Sequence, residues 1–431
     1  MNIKFYFLLI LLILQGNLMS ATIKHINVKG IDIPVIFEEQ KSLPILNLQL
    51  VFTNAGYIQD KDKSGLASLS AKLLNEGTKE LGATKFAQKL DERAITINTS
   101  NGFETLVIEL SSLKEESNKA ISLLNDLLES PNYSKDTIKK LKTILNGSLK
   151  RKESDFDYVS QKQLNSILFK GTALENPGSG TIESISKIEL DDVKSFIKKN
   201  ITLNNLIIVA GGDFDIDEFE KLITPLLSTI KKGEKTQIDN KVIFNSKVEE
   251  KTLIKETKQA YIYFGSSFNI DSKDEENYKA KVASFILGGS GFGSRLMEEI
   301  RVKRGLAYSA YGNISINKSY TYFNGYLQTK NETSDEAKNL VKELVAQFVQ
   351  NGVTQAELDA AKNFLTGSEP LRSETLSQRL SRAFTLYYRD LEQDYSKKEL
   401  EKIQALTLDD LNKYIKSHDE INNLTFSIVR K

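Results

Sequence analysis

Arg301 and Tyr308 stand seven residues apart at the end of the segment Leu287–Tyr308, LGGSGFGSRLMEEIRVKRGLAY. Their chemistry suits the gripping of a peptide. A guanidinium donates to substrate carbonyls, and a phenol can stabilise the oxyanion that forms when a nucleophile attacks an amide. Metal chemistry is far less well supplied. The chain has two histidines, His25 and His418, at opposite ends of the sequence, and no cysteine. Absence of thiols excludes disulfides, thiolate zinc sites, iron–sulfur clusters and cysteine nucleophiles together. Glu76 and Glu80 are one helical turn apart, and Asp213, Asp215 and Asp217 alternate after an apolar run. The aspartates lack a glycine-centred loop closed by glutamate, so they read as a solvated turn.

The run Gly288, Gly289, Ser290, Gly291, Phe292, Gly293 lacks the spacing and the strand-first context of a dinucleotide loop. It falls between two helical patterns, Glu275–Leu287 and Arg295–Arg301, where glycine gives backbone freedom.

The elements that must position these residues occur twice. Leu145-Asn146-Gly147-Ser148 returns as Leu365-Thr366-Gly367-Ser368, with Gly147 and Gly367 separated by 220 positions. Glu183–Val193 (ESISKIELDDV) returns as Glu401–Leu411 (EKIQALTLDDL), and each copy passes through Asn205-Leu206 or Asn423-Leu424 into a strand-like run. A repeat of this length predicts two homologous units. In the first, period-two patterns predict strands at Ile23–Val28, Pro34–Glu38, Leu46–Phe52, Ala94–Ser100, Glu104–Ser111 and Leu206–Ala210. Helical spacing of Leu66, Leu69, Leu73 and Leu74 predicts a helix from about Ser64 to Gly77, with others at Thr84–Arg93 and Glu115–Glu129. The second unit offers strands Gln259–Phe264, Leu306–Ile316, Tyr320–Lys330 and Leu424–Val429 and a helix Asp335–Asn351. The expected fold class is α+β: two homologous α/β sandwich domains, each a mostly antiparallel sheet with helices packed on one face. The boundaries read as residues 22–230 and 252–431, with the charged stretch 231–251 as a solvated linker that lets the units face each other across a cleft.

With 431 residues, the chain is about twice the size at which one hydrophobic core stops growing, in keeping with two domains. Forty percent hydrophobic and 27% charged residues describe an ordinary globular chain. The 58 basic against 57 acidic side chains leave a net charge of +1, which gives no field to draw nucleic acid. Residues 1–21 have the layout of a signal peptide: Lys4, the apolar run Phe5–Leu14, a polar break, then small residues at Ser20 and Ala21. That run is too short for the roughly 20 residues of a membrane span. Cleavage would leave no stable membrane span, and an exported chain without thiols is most simply placed in the bacterial periplasm.

Five ordered segments carry a resemblance: GYIQDKDKSGLAS with NEGT at 56–78, the Phe-Lys-Gly to Glu-Ser-Ile run at 169–185, Gly-Gly-Asp-Phe at 211–214, Leu287–Tyr308, and GVTQAELDAAKNFLTGS at 352–368. Over essentially its whole mature length the chain resembles the pitrilysin/insulinase superfamily of inverted-zincin peptidases. In that family a first-domain helix carries His-x-x-Glu-His, whose histidines bind zinc while the glutamate activates water, and a later helix adds a glutamate ligand. Here those positions fall on Ser68, Ala71 and Lys72, and the later one on Gly147 or Ser148. Serine is a weak zinc ligand, alanine has no base, and Lys72 puts a cation where the metal would sit. The resemblance thus implies no metal in this chain and no catalytic residue in this chain alone. The family's substrate-holding arginine and tyrosine match Arg301 and Tyr308, and its cleft glycine loop matches Gly288, Gly289, Gly291 and Gly293. It further implies a non-catalytic, peptide-binding subunit of a heterodimeric zinc metallopeptidase, with zinc in a paralogous partner and a peptide or unfolded polypeptide as substrate. A catalytically dead scaffold and a homodimeric peptide-binding protein are the other roles open to such a chain.

Overall fold

The computed structural model describes residues 21–60, 62–236, 242, 244, 245 and 247–431. The signal-peptide expectation therefore lies, but for Ala21, outside the described residues. Two mixed sheets form the frame. The first joins β1 (Thr22–Val28), β2 (Ile31–Glu39), β3 (Ile45–Thr53), β4 (Thr96–Asn101), β5 (Thr105–Leu113) and β6 (Leu206–Gly212) in the order β1-β2-β6-β3-β5-β4. The second joins β7 (Glu250–Ile254), β8 (Gln259–Ser267), β9 (Ala307–Ile316), β10 (Thr321–Lys330) and β11 (Thr425–Arg430) in the order β7-β11-β8-β10-β9. Pairing is antiparallel except for β2 with β6 and β7 with β11. Residues of β6 are buried throughout, as expected of a strand covered on both sides.

Helices follow in the same order in both halves. The first half has α1 (Leu66–Leu74), α2 (Gly82–Asp91), α3 (Ser117–Glu129), α4 (Lys135–Lys152), α5 (Phe156–Leu168), α6 (Ile182–Lys187), α7 (Leu190–Asn200) and α8 (Ile216–Thr229). The second has α9 (Asn277–Ser284), α10 (Ser334–Asn351), α11 (Gln355–Gly367), α12 (Leu376–Tyr388), α13 (Tyr395–Ala405) and α14 (Leu408–Ser417). The sequence repeat becomes structural here: Lys135 and Gln355, and likewise Phe156 and Leu376, open corresponding helices 220 residues apart. Apolar stripes fix each helix on its sheet. Ala120, Ile121, Leu124 and Leu127 of α3, for instance, join Leu48, Leu50, Ile108 and Phe219 in the first core.

With α5 and α12 excepted, the helices of each half gather on one face of its own sheet, the side the sequence predicts. The opposite face is covered by a helix from the other half. Leu376, Leu380 and Ala383 of α12 pack on Ile36, Val51, Ile207 and Val209 of the first sheet. In return α5 lies on β8 and β11, where Ser160 Oγ donates to the Ser427 carbonyl at 2.9 Å and Ser427 Oγ donates to Gln163 at 2.9 Å. An ion pair reinforces the α12 contact: Arg379 Nε donates to Glu38 Oε1 at 2.7 Å, Nη2 lies 2.7 Å from the same oxygen, and the Glu38 side chain is 1% exposed. The halves are thus interlocked as well as opposed.

The stretch read as a solvated linker departs from that expectation in two ways. Strand β7 begins inside it, at Glu250, and Val242 and Phe244 pack against the Phe169 and Tyr322 cluster, with Phe169 and Phe244 ring centroids 4.8 Å apart. Its first residues are also tied down, since Leu203 N–H donates to the Lys231 carbonyl at 2.9 Å and Thr236 N–H to Asn205 Oδ1 at 2.8 Å. A sparse pair of apolar residues anchors the segment despite its charge.

Candidate functional site

In the first half, α1 and α4 pack side by side through Leu69, Leu73, Leu141, Leu145 and Leu149. On α1, Ser68 and Ala71 are buried and Lys72 is exposed; on α4, Gly147 and Ser148 are half-buried. The two helices to which the resemblance assigns a zinc site are therefore in place, and the matched positions hold Ser68, Ala71, Lys72 and Gly147 or Ser148. Start of α1 is set by Asp60, whose carboxylate accepts from Gly65 N–H at 2.7 Å and Ala67 N–H at 2.8 Å. Gly65 can enter this cap because its φ is +94°. Burial pushes the Asp60 carboxyl up to about 7, against the donation from Ala67, Gly65 and Leu66, which lowers it.

The other acidic and histidine candidates have structural partners. Glu76 pairs with Lys140 at 2.7 Å, and Glu80 is exposed. Asp213 pairs with Lys114 at 3.3 Å, while Asp215 caps α8 by accepting from Glu218 N–H at 2.8 Å. His25 pairs with Asp32 at 2.8 Å on the β1–β2 hairpin, and His418 stacks on Phe268 with centroids 4.5 Å apart. Among the described residues no three His, Cys, Asp or Glu side chains form a group that could hold a metal ion.

Arg301 and Tyr308 are brought together by the way their helix ends. Residues Met297–Lys303 wind as a π-helix, and Gly305 follows at φ +60°. Gly305 N–H then donates to the Arg301 carbonyl at 3.0 Å and Leu306 N–H to the Ile300 carbonyl at 2.9 Å, a nested pair one residue wider than a Schellman cap, as the π-winding of the helix requires. This reversal starts β9 at Ala307, beside the helix it has just left. Pairing with β10 then slips: Leu327 faces Ala310 and Thr329 faces Ala307, so Tyr308 and Ser309 together oppose Gln328. Tyr308 thus sits in a β-bulge on an edge strand, a device that re-aims a side chain. Its side chain is 79% exposed.

The Arg301 guanidinium carbon lies 4.5 Å from the centre of the Tyr308 ring and 4.7 Å from that of Phe292. Two rings hold the cation by its faces and leave its in-plane N–H groups for an acceptor. Among the described residues no carboxylate is in ion-pair reach of Arg301. Phe292, 70% exposed, is a residue sequence reasoning missed. Its place in a glycine turn made it look incidental.

A tyrosine ladder crosses the same sheet. Tyr311 on β9, Tyr326 on β10 and Tyr263 on β8 lie directly opposite in register and stack with centroids 5.4 and 5.5 Å apart. Asp157 of α5 accepts from Tyr263 Oη at 3.1 Å and Gln328 Nε2 at 2.6 Å. Burial raises the Tyr263 phenol, and the charge of Asp157 raises it further, so it stays protonated. Evenly spaced tyrosines stand on β8 (Tyr261, Tyr263) and β10 (Tyr322, Tyr326), but the register that aligns Tyr263 and Tyr326 with Tyr311 is not readable from sequence.

The glycine run divides by role. Gly288 is buried where the π-turn Phe285–Gly289 crosses β9, and a Cβ there would lie 2.4 Å from Gly312 N. Gly291 and Gly293 have φ of +67° and +90° and form the turn that carries Phe292 towards Arg301.

Comparison with known proteins agrees with this fold. The chain matches the family profiles described as Insulinase (Peptidase family M16) over residues 35–182 and Peptidase M16 inactive domain over residues 187–365. A protein of Helicobacter pylori described as non-peptidase homolog YmxG is 44% identical over 426 residues, covering 99% of this chain and 98% of its own. An uncharacterized zinc protease of Bacillus subtilis is 24% identical, over 74% of this chain and 77% of its own. Among solved structures, the peptidase M16 inactive domain from Pseudomonas fluorescens superposes with a TM-score of 0.87 at 23% identity, over 95% of this chain and 98% of that one. With both profiles, the 44% relative and the shared fold in agreement, the chain belongs to the M16 (insulinase) peptidase family.

Proposed function

We propose that this chain is a non-catalytic, peptide-binding subunit of an exported heterodimeric zinc metallopeptidase. It completes the active site of a zinc-bearing paralogue and hydrolyses nothing by itself. One observation carries the reading: the donors are kept while the ligands are gone. Tyr308 is raised on an edge-strand bulge beside a guanidinium ordered by two rings, whereas Ser68, Ala71 and Lys72 occupy the zinc positions. The description of the 44% relative as a non-peptidase homolog supports the same reading.

Zinc and its water would come from the partner. This chain's Arg301 would donate to a carbonyl of the bound peptide, and the Tyr308 phenol to the oxygen that gains charge as the amide is attacked. An extended peptide could pair with the free edge of β9, which brings its carbonyls alongside both donors. Export rests on the leader-like residues 1–21. Among the described residues no helix is long and apolar enough to cross a membrane.

The test is peptide hydrolysis by the isolated chain and by its complex with a His-x-x-Glu-His paralogue from the same cell, with zinc content measured throughout. Activity confined to the complex, and lowered in Arg301→Ala and Tyr308→Phe at unchanged zinc content, is the expected result. Full activity in both variants would reassign the chain as a scaffold. Zinc-dependent activity of the isolated chain would overturn the reading.

A further inference from the structure

Seven of the 18 residues of α4 are lysine or arginine, against one acidic residue, Asp136 in the first turn. Its repeat counterpart α11 has one lysine and two acidic residues, so the charge belongs to this helix and not to its place in the repeat. The chain as a whole carries a net charge of +1. The basic strip is therefore a local feature.

Three of the seven cations are engaged. Lys140 pairs with Glu76 at 2.7 Å, Lys142 lies 3.7 Å from Glu189, and Lys152 sits over the Tyr158 ring at 4.9 Å. Lys135, Lys139, Lys150 and Arg151 are exposed, and no carboxylate among the described residues is within ion-pair reach of them. At about 100° per residue, Lys139 and Lys150 fall on one side of the exposed arc and Lys140, Ile144 and Arg151 on the other. Between these two rows stand Thr143, which is short, and Gly147, which is bare, so a shallow track runs along the helix. Arg151 Nη1 reaches back over that track, 3.7 Å from where a Cβ on Gly147 would stand. Ile144 is exposed among the cations.

Lys72 of α1 is also exposed, with no carboxylate in ion-pair reach among the described residues. It stands one turn before Glu76, whose carboxylate bridges from α1 to Lys140. Arg151 over Gly147, and Lys72 itself, thus put cations at two of the positions that the resemblance assigns to metal ligands.

We propose that the exposed side of α4, with Lys72 beside it, is a binding surface for an acidic polypeptide segment in extended conformation. From Lys139 to Arg151 the helix rises about 18 Å, which about six extended residues span at about 3.3 Å each. Carboxylates of that segment meet cations from both rows, the Arg151 guanidinium offers a forked donor within the track, and an apolar side chain meets Ile144. Width selects a single chain. On the side where Lys142 reaches the Ser186 carbonyl and Glu189, residues 182–200 hold four acidic and four basic side chains, so the unbalanced strip is one helix wide. A bilayer or a duplex laid on α4 would meet those carboxylates, and like charge disfavours such a partner.

Fluorescence anisotropy of a labelled Glu-Glu-Leu-Glu-Glu-Leu-Glu-Glu peptide, titrated with the full chain at low salt, tests the assignment. Saturable binding is expected, weakening as salt is raised. Affinity should fall about threefold in each of Lys72→Gln, Lys139→Gln and Arg151→Gln, and about tenfold in Lys139→Gln combined with Arg151→Gln. All three side chains are exposed, so the variants should keep the fold, which thermal melting checks. Lys397→Gln, at an exposed lysine of α13, removes one charge elsewhere and should bind as wild type does. Absence of saturable binding, equal binding by the double variant, or equal affinity for the peptide with lysine in place of every glutamate would overturn the proposal. Binding of phosphatidylglycerol vesicles or of a duplex oligonucleotide, with none of the acidic peptide, would overturn it too. The readout needs no partner subunit and no hydrolysis, so its outcome is independent of the function proposed above.

Discussion

Replacing Arg379 with methionine removes the guanidinium that crosses from α12 to the first sheet. Glu38 is left with a side chain 1% exposed and no cation, and its Oε2 already has no partner. Stripping one member from a buried pair costs about 3–5 kcal/mol, most of it the desolvation of the stranded charge. Methionine also forfeits the bonds from Arg379 Nη1 to the Ser373 and Glu374 carbonyls at 3.1 and 2.7 Å. A double-mutant cycle separates these effects, because the carbonyl bonds are lost equally in Arg379→Met and in Arg379→Met with Glu38→Gln. Urea unfolding at pH 7.5 of wild type, both single variants and the double variant gives the four free energies. The double variant is expected to regain about 1–3 kcal/mol over the sum of the single losses. If the single losses add to within about 0.5 kcal/mol, the pair is not coupled. A loss below about 1 kcal/mol for Arg379→Met would mean that Glu38 is reached by water, and the interlock would need redrawing.

Four further outcomes are expected. Tyr308→Phe, at a side chain 79% exposed, should change unfolding free energy by less than about 0.5 kcal/mol, while slowing the assembled peptidase by on the order of 100- to 1000-fold; equal turnover would remove Tyr308 from the site. Asp60 has a folded pKa of about 7 against an ordinary 3.8, so its contribution to stability is full below pH 3.8 and fades as pH rises to 7; the unfolding free energy of wild type relative to Asp60→Asn should fall by a few kcal/mol across that window, and parallel pH curves would refute the shift. Gly288→Ala should cost about 1–3 kcal/mol, because its Cβ meets backbone at 2.4 Å; a neutral result by thermal melting would show that the crossing is loose. Chelation with EDTA should leave the melting temperature unchanged, and a drop would reveal a structural metal.

Much of the frame was legible because it rests on local periodicity. Strands β3, β9 and β10 fall within one residue of their period-two runs, β8 extends three residues past its own, and the 220-residue repeat carried over into matched helices. Absence of zinc ligands was plain from Ser68, Ala71 and Lys72 alone. What stayed hidden depends on contacts between distant residues. The exchange of α5 and α12 needs the two halves docked, and an apolar stripe does not name the sheet it covers. Phe292 meets Arg301 only because two positive-φ glycines and the Gly305 cap fold three local pieces together. The bulge at Tyr308 is one residue of register, and a sequence read strand by strand carries no register. Val242 and Phe244 were outweighed by their charged neighbours, though two rings suffice to pin a segment.

The exchanged helices also dictate an order of events during synthesis. The first sheet is complete in sequence at Gly212, yet one of its faces stays bare until α12 emerges, more than 160 residues later. A nascent first half therefore displays the apolar surface of Ile36, Val51, Ile207 and Val209 while the residues between β6 and α12 are being made. Closure of such sequence-distant contacts is slow, and the exposed intermediate is prone to aggregate. A chain built this way gains from being held unfolded until its last residues are available, and from a chaperone that shields that one face. Chains ending between α8 and α12 carry the whole first repeat yet should pellet on centrifugation after expression.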